Sequence, residues 1–307
     1  MNYLIFDLEW NNTFGRDVNI NEIIEIGAVL LDDSLLEIGR FSTFVRPQIA
    51  RKLNSRTKNL THITNQDIQN GIPFPQAISE LTDFMGTEET TALSWGDTDL
   101  RVLIENLKCF LHREHIPFLT NYLDLQKYYH TVTERPLNQQ ASLSSAAESL
   151  HIDPEKYALH RALDDSLLSA DCFRAIFNAE RIMQMIRRCD ESFYQRLLFK
   201  PYIINDLESP LIDSSKMVCS CDRCGGKMQR VTSWKFFNSA FHAVFFCRTC
   251  NRKLNFSIRF KKYYDHLDVR TRAVEYVRKR DKCGEKGLND PHGQGKADMM
   301  NKATDKS

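Results

Sequence analysis

No apolar run in this sequence approaches the roughly 18–20 residues needed to cross a bilayer, which excludes a membrane-spanning helix. Its opening residues lack the basic stretch of a secretory signal and place an acid at Asp7, which argues against export. No internal repeat is visible. The cysteines, an odd nine, are not spread as a disulfide framework. Cys109, Cys172 and Cys189 fall in helical patterns as small buried hydrophobes, and a reduced, cytoplasmic compartment is the expectation. Net charge is also nearly absent, at +1. What remains is ordinary: 307 residues with 42% hydrophobic and 26% charged composition, enough for about two globular domains.

The small net charge conceals a division. Residues 216–307 hold 21 Lys and Arg against 9 Asp and Glu, which leaves 20 against 31 for residues 1–215. A basic half joined to an acidic one is a handle for a polyanion. Within it, 281–307 is rich in Gly, Asp, Lys and Asn and reads as a solvated, partly disordered tail. For 252–280 a nucleic-acid handle and a solvated face both stay open.

The acidic half carries the chemistry. In Tyr3-Leu4-Ile5-Phe6-Asp7-Leu8-Glu9-Trp10 the pattern is a strand, and residues two apart on a strand share a face. Asp7 and Glu9 therefore project together, opposite Phe6 and Leu8. Two carboxylates held side by side repel unless a cation lies between them, and a divalent metal with hard oxygen ligands suits that place. In Ala158-Leu159-His160-Arg161-Ala162-Leu163-Asp164-Asp165 a histidine precedes an aspartate by five positions, where a loop enters a long helical pattern. Between these segments lies Ser94-Trp95-Gly96-Asp97-Thr98-Asp99-Leu100, a short strand that ends in Gly and opens into a helix.

In type, order and spacing these three segments resemble the motifs of the DEDDh 3′–5′ exonuclease superfamily: Asp-x-Glu, a mid-chain Asp at a strand-to-helix junction, and His-x4-Asp. The likeness covers residues 1–178. The Trp-Gly-x-x-Asp form of the middle motif, with Asp-Leu-Glu-Trp, is most similar to the KapD-like and small-RNA-trimming (ERI-type) branch. Leu60-Thr61-His62-Ile63-Thr64 also resembles that superfamily's substrate-facing turn. The resemblance implies a ribonuclease-H-like fold, metal ligands at Asp7, Glu9, Asp99 and Asp165, and a general base at His160. Register favours Asp99 over Asp97, which is left to cap the helix, and the five-residue spacing favours Asp165 over Asp164. Asp164 lies about 100° further round the helix and is expected to face solvent.

Phosphodiester hydrolysis gives these residue types a purpose. Two cations lower the pKa of the attacking water and neutralise charge on the leaving oxygen. Four carboxylates suit two Mg²⁺ or Mn²⁺. Histidine titrates in the range where it can take the water's proton.

The coarse path of the first domain is α/β. Strand patterns lie at 3–9, 23–31, 40–46, 91–95 and 118–123, and helical patterns at 75–85, 99–110, 142–150 and 161–178, which suggests a mixed sheet flanked by helices. A further helical stretch over about 179–199 carries Arg181, Arg187, Arg188 and Arg196 beside apolar positions that read as packing.

The second strong pattern is Cys221-Asp222-Arg223-Cys224-Gly225-Gly226 and Cys247-Arg248-Thr249-Cys250-Asn251. Two Cys-x2-Cys pairs 22 residues apart have the spacing of one structural, four-thiolate Zn²⁺ site. Gly225 and Asn251 suit the positive φ that follows such knuckles. Residues 231–237 and 241–246 read as hairpin strands of a zinc ribbon. Cys219 is an alternative ligand of poorer spacing, and His242 reads as a strand residue. The aromatics read mainly as core, with Trp234 or Phe236 as alternative stacking platforms for bases. Trp10 has two readings, sheet packing or contact with a terminal base.

The expected organisation is an exonuclease domain over 1–178, a helical connector over 179–215, a small β zinc ribbon over 216–260 and a basic, partly disordered extension over 261–307. The expected activity is metal-dependent 3′–5′ exonucleolysis of single-stranded nucleic acid to 5′-mononucleotides, RNA before DNA, with the C-terminal half binding substrate. The alternatives are a DNA proofreading or repair exonuclease, and a non-catalytic adaptor whose ribbon docks on a protein partner.

Overall fold

The computed structural model describes residues 1–14, 19–136 and 139–276, so the tail expected over 281–307 lies outside the described residues. The chain divides into two compact units after Lys200. Among the described residues no helix is long and apolar enough to cross a membrane.

The first unit has strands β1 (Asn2–Phe14), β2 (Asn19–Leu31), β3 (Glu37–Arg46), β4 (Ile72–Pro73), β5 (Thr90–Ser94), β6 (Asn121–Asp124) and β7 (Arg187–Arg188). Its helices are α1 (Ser55–Thr61), α2 (Asn65–Asn70), α3 (Phe74–Met85), α4 (Thr98–Leu111), α5 (Leu125–Val132), α6 (Leu143–Ser149), α7 (Ala162–Ala175), α8 (Ala179–Met185) and α9 (Glu191–Leu198). The strands form one sheet in the order β4-β3-β2-β1-β5-β6-β7. The β1–β2, β2–β3 and β6–β7 pairs are antiparallel, and β1–β5, β5–β6 and β3–β4 are parallel. This is the mixed α/β sheet that the patterning predicts.

Both faces of the sheet are covered, because the central strands are apolar on both. Leu4, Phe6 and Leu8 join Ile26, Ala28 and Leu30 in one core with α3 and α4. Tyr3, Ile5, Val29 and Leu31 join a second core with Tyr128 and Tyr129 of α5 and Ala170 and Phe173 of α7. Between β1 and β2 the two-residue period breaks at Ile24. Glu9 lies opposite Glu25 but Trp10 lies opposite Ile23, so Ile24 is an extra residue. This bulge sends Ile24 into a separate cluster with Leu53, Ile63 and Ile68, beneath the segment that leads into and out of α1.

Several expected boundaries shift. Strand pairing in the 118–123 stretch begins only at Asn121; Phe118 and Leu119 are buried ahead of it in non-strand backbone. The helical pattern over 179–199 is two helices separated by the β7 pair. Tyr194 and Leu197 of α9 pack in the first core, so this part of the predicted connector belongs to the first unit.

The second unit contains β8 (Tyr202–Ile203), β9 (Gln229–Arg230), β10 (Lys235–Phe237), β11 (Ala240–Cys247), β12 (Arg252–Lys262) and β13 (Leu267–Glu275). The order is β10-β11-β12-β13, with β9 paired to β11 and β8 to β12, all antiparallel. Of the predicted hairpin strands, 241–246 lies within β11, but only Lys235–Phe237 of 231–237 is strand, and the sheet extends well past the predicted end of the ribbon at 260. Val269 and Leu267 pack against its core, and so does Ile212 from the predicted connector. Apolar alternation along 267–269 was too short to stand out as a strand within a basic segment.

Candidate functional site

In the first unit a cleft of about 490 Å³ opens at the end of β1. Asp7, Glu9, Asp99, His160 and Asp165 all line it. Each arrives on a different device. Asp7 and Glu9 come from β1, on the face that α7 covers. Asp99 is in the first turn of α4, after a turn at Gly96 with φ +92° that a side chain would strain. Tyr122 and Ser94 hydroxyls both donate to the Gly96 carbonyl, at 2.6 and 2.7 Å, and fix that turn. Asp165 is in the first turn of α7, and its Oδ2 accepts the His160 N–H at 3.1 Å. His160 has φ +63° and is exposed at the cleft mouth.

The start of α7 is held by a residue that the sequence analysis did not single out. Glu25 of β2 is buried, and its carboxylate accepts from Arg161 Nη2 at 2.8 Å, Arg161 Nε at 3.2 Å and the Ala162 N–H at 3.1 Å. Beside it Gly27 faces Asp7 across the ladder. A Cβ on Gly27 would lie 2.2 Å from the Ala162 carbonyl carbon and the Leu163 nitrogen, so only glycine lets α7 come this close. The signal for Glu25 was present: a charged residue inside Ile23-Ile24-Glu25-Ile26, a run otherwise fit for burial.

The opposite wall is α1, with Arg56, Thr57, Leu60 and Thr61 on the cleft. Its entry is tied to β1, because Asn11 Oδ1 accepts the Asn54 N–H at 2.9 Å. The loop before it closes on Glu22, whose carboxylate accepts the N–H groups of Gln48, Ile49 and Ala50 at 2.5–2.9 Å. Leu60 is exposed on the cleft, while Ile63 of the same predicted substrate-facing turn is buried. Trp10 packs on the first core, as its sheet reading has it, and also lines the cleft.

The electrostatics are those of carboxylates with too little positive charge among them. Burial, then the charges of Asp99, Asp165 and Glu9, push Asp7 well above the usual carboxylate range. Burial and the nearby Asp165 and Glu25 carry Glu9 up to about 8, with Arg161 pulling the other way. Burial lifts Asp99 to about 7 against N–H groups of Asp99 and Leu8, and lifts Asp165 to about 6 against the His160 N–H. Ligand atoms of Glu9, His160 and Asp165 lie within 4.8 Å of one another, a grouping that Asp7 and Asp99 do not join. The donor set is hard oxygen with one imidazole, and it fits a divalent cation.

The two neighbouring acids do other work. Asp97 occupies the position before α4 but makes no side-chain cap; it binds Arg101 Nη2 at 3.0 Å and lines a different cavity. Asp164 does not simply face solvent. It is half-buried and accepts the Ala158 N–H at 3.1 Å, which braces the loop before His160.

In the second unit the sulfurs of Cys221, Cys224, Cys247 and Cys250 lie within 4.8 Å of one another. The Gly225 N–H donates to the Cys221 carbonyl at 2.9 Å, and Gly225 and Asn251 both have positive φ, at +71° and +49°. N–H groups of Cys224 and Arg223 lower the Cys221 thiol to about 7. Four converging thiols in two knuckles fit a tetrahedral zinc ion. Cys219 is not in this group; its Sγ contacts Met228 Sδ at 3.7 Å in the core. His242 is a strand residue, stacked on Phe237.

Comparison with known proteins agrees with this geometry. The family model described as Exonuclease (RNase_T) matches residues 4–173. The chain is 32% identical over 178 residues to the probable 3′-5′ exonuclease KapD of Bacillus subtilis, covering 56% of this chain and 83% of that protein. It is 31% identical over 155 residues to human 3′-5′ exoribonuclease 1, covering 48% of this chain but only 44% of the human protein. A solved structure described as 3′-end specific recognition of histone mRNA stem-loop by 3′-exonuclease superposes with a TM-score of 0.50 at 28% identity, covering 61% of this chain and 84% of that one. The acids and histidine gathered in the cleft, the sheet that carries them and these likenesses agree: the chain belongs to the exonuclease family and is a 3′–5′ exonuclease of the DEDDh superfamily.

Proposed function

We propose that this enzyme removes nucleotides from the 3′ end of single-stranded RNA, with two divalent cations, Mg²⁺ or Mn²⁺, held by Asp7, Glu9, Asp99 and Asp165. The observation that carries the reading is the crowding of four carboxylates in one cleft, with three of them lifted by burial and mutual repulsion to about 6–8. When bound, the cations supply the charge that ionises the attacking water and neutralises the leaving oxygen.

The chain's own residues do the rest. His160, exposed at the mouth and within 4.8 Å of Glu9 and Asp165, takes the proton of the attacking water at an imidazole nitrogen. Its backbone is fixed from below by Asp165, and Arg161 next to it by Glu25. Leu60 and Trp10 bound the space for the terminal nucleotide and exclude water from its apolar side. The products are 5′-mononucleotides. In the second unit one zinc ion on Cys221, Cys224, Cys247 and Cys250 holds the fold, and the basic C-terminal half captures the substrate strand. RNA is the favoured substrate because the relatives described as exoribonucleases act on RNA by name.

The test is stepwise shortening of a 5′-labelled oligoribonucleotide, with release of labelled 5′-mononucleotide from a uniformly labelled one. Cleavage should need Mg²⁺ or Mn²⁺, stop in chelator and vanish in Asp7→Asn with the fold retained. Undiminished cleavage by Asp7→Asn would sink the ligand assignment, and equal or faster cleavage of the matching DNA strand would overturn the RNA preference.

A further inference from the structure

The sheet of the second unit has one buried face and one open face. Phe241 and Phe245 of β11, and Leu254, Phe256, Ile258 and Phe260 of β12, are buried in its core. Strand alternation turns the residues between them outward. The ladder register then fixes which of these meet. His242 pairs with Lys235 and Ser257, Phe246 with Lys253, Ser257 with Arg272, Arg259 with Arg270, and Lys261 with Asp268. Six cations, Lys235, Lys253, Arg259, Lys261, Arg270 and Arg272, thus share one face of four strands. The acid on it in these pairings is Asp268, which binds Arg270 Nε at 2.9 Å. Among the described residues Lys235, Lys253, Arg259 and Arg272 have no acidic partner within 4 Å.

Aromatic groups are set among these charges. Phe237 is 49% exposed and stacks on His242 at 3.8 Å between centroids and 14° between planes. Phe246 is half-buried on the same face beside Lys253. Tyr276, exposed, donates its N–H to the Lys253 carbonyl and continues the β13 register. The two aromatics that the sequence offered as alternative platforms lie on the other face of the sheet. Trp234 packs edge-on against Phe245 and Phe256 of the core, and Phe236, 40% exposed, lies edge-on to the buried Phe241.

We infer that this open sheet face is a platform for single-stranded RNA, with Phe237–His242, Phe246 and Tyr276 stacking on bases and the flanking Lys and Arg residues taking phosphates. A flat sheet face with exposed rings among cations matches the chemistry of a single strand, whose bases are free to stack and whose phosphates repeat along it. Four strands span about 14 Å at about 4.8 Å per step, wide enough for several nucleotides. The inference rests on the reading that the second unit captures the substrate strand, and it names the surface that does so.

The experiment measures the Kd of the full-length protein for a fluorescein-labelled oligouridine of 20 nucleotides against salt, in an Asp7→Asn background with zinc and without magnesium. Phe237→Ala should weaken binding by roughly 5- to 100-fold, the range seen when one stacking ring is removed. The double variant Lys235→Gln, Arg272→Gln changes two exposed, unpaired side chains, and it should flatten the salt slope by about 1.4, at about 0.7 per phosphate contact. Arg223→Gln with Lys227→Gln, on the zinc knuckle, should leave Kd within twofold. Zinc content and circular dichroism should match the parent in all three. An unchanged Kd and slope in both face variants, or an equal loss in the knuckle variant, would overturn the assignment of this face. An affinity of the Asp7→Asn parent no greater for the oligouridine than for a dinucleotide would instead overturn the capture reading beneath it.

Discussion

Replacing Gly27 by alanine adds one methyl group to a buried strand, yet it should disable the enzyme. The new Cβ would lie 2.2 Å from backbone atoms of Ala162 and Leu163. Carbon atoms settle at about 3.5 Å, so the overlap is about 1.3 Å and the atoms in the way cannot swing aside as a side chain does. Either α7 retreats or β2 bends. Overpacking of this kind costs about 1–3 kcal/mol, and for a unit of this size each kcal/mol lowers Tm by about 2–4 °C. The effect on turnover should be larger than that on stability. His160 and Asp165 sit at the start of the displaced helix, and a shift near 1 Å at reacting groups costs about 100-fold in rate. The assay is kcat on a labelled oligoribonucleotide beside a thermal melt. We expect kcat down by about two orders of magnitude, Tm lower by several degrees and KM little changed. Wild-type kcat with Tm within a degree would refute the claim that this contact places the catalytic end of α7.

Four further outcomes follow from the same geometry. Asp99→Asn should abolish cleavage and Asp97→Asn, which only frees Arg101, should be mild; the reverse result would mean the register at α4 is wrong. His160→Ala should lower kcat by about 100-fold or more with KM little changed, whereas a rise in KM at constant kcat would make His160 a contact residue. The metal-free protein should lose stability between about pH 5 and 8, because Glu9, Asp99 and Asp165 have folded pKa values of about 8, 7 and 6, so the native state binds more protons than the unfolded chain there. Added Mg²⁺ should then raise Tm more at pH 8 than at pH 5, and Glu9→Gln should flatten the slope; a Tm that does not fall with pH, or a pH-independent metal effect, would contradict this. Zinc should copurify with the protein, and a Cys247→Ser, Cys250→Ser variant should lose both the metal and the second unit's fold; one zinc per chain in that variant would exclude the four-thiolate site.

The sequence exposed those parts of the site that depend on local spacing. Asp7 and Glu9 share a face because a strand alternates, and Asp165 follows His160 by the length of a helix entry. What it concealed depends on contact between distant segments. Glu25 and Gly27 look like interruptions of an apolar strand until α7 is seen against them. Glu22 is one more acid until three N–H groups converge on it from a loop 26–28 residues away. The bulge at Ile24 escaped because one inserted residue leaves a continuous apolar run looking uniform. In the second unit the cysteine spacing was legible, but the sheet's extent was not. Charge and polarity along 261–275 look like a solvated tail, and only pairing to β12 makes them a strand.

The seven-stranded sheet ends at both margins in a strand of only two residues. At one margin it is Ile72–Pro73, where proline has no N–H to offer, and at the other Arg187–Arg188, both exposed and charged. A second chain that adds to either of these short strands finds two residues of ladder at most, and what it finds is proline or two cations. The other sheet is different, for β13 runs nine residues at its margin among the described residues. Its protection is charge of both signs, with Asp268, Arg270, Arg272 and Glu275 along the strand. Neutralising those charges would remove the barrier to strand-on-strand aggregation along β13 at high concentration or on partial unfolding.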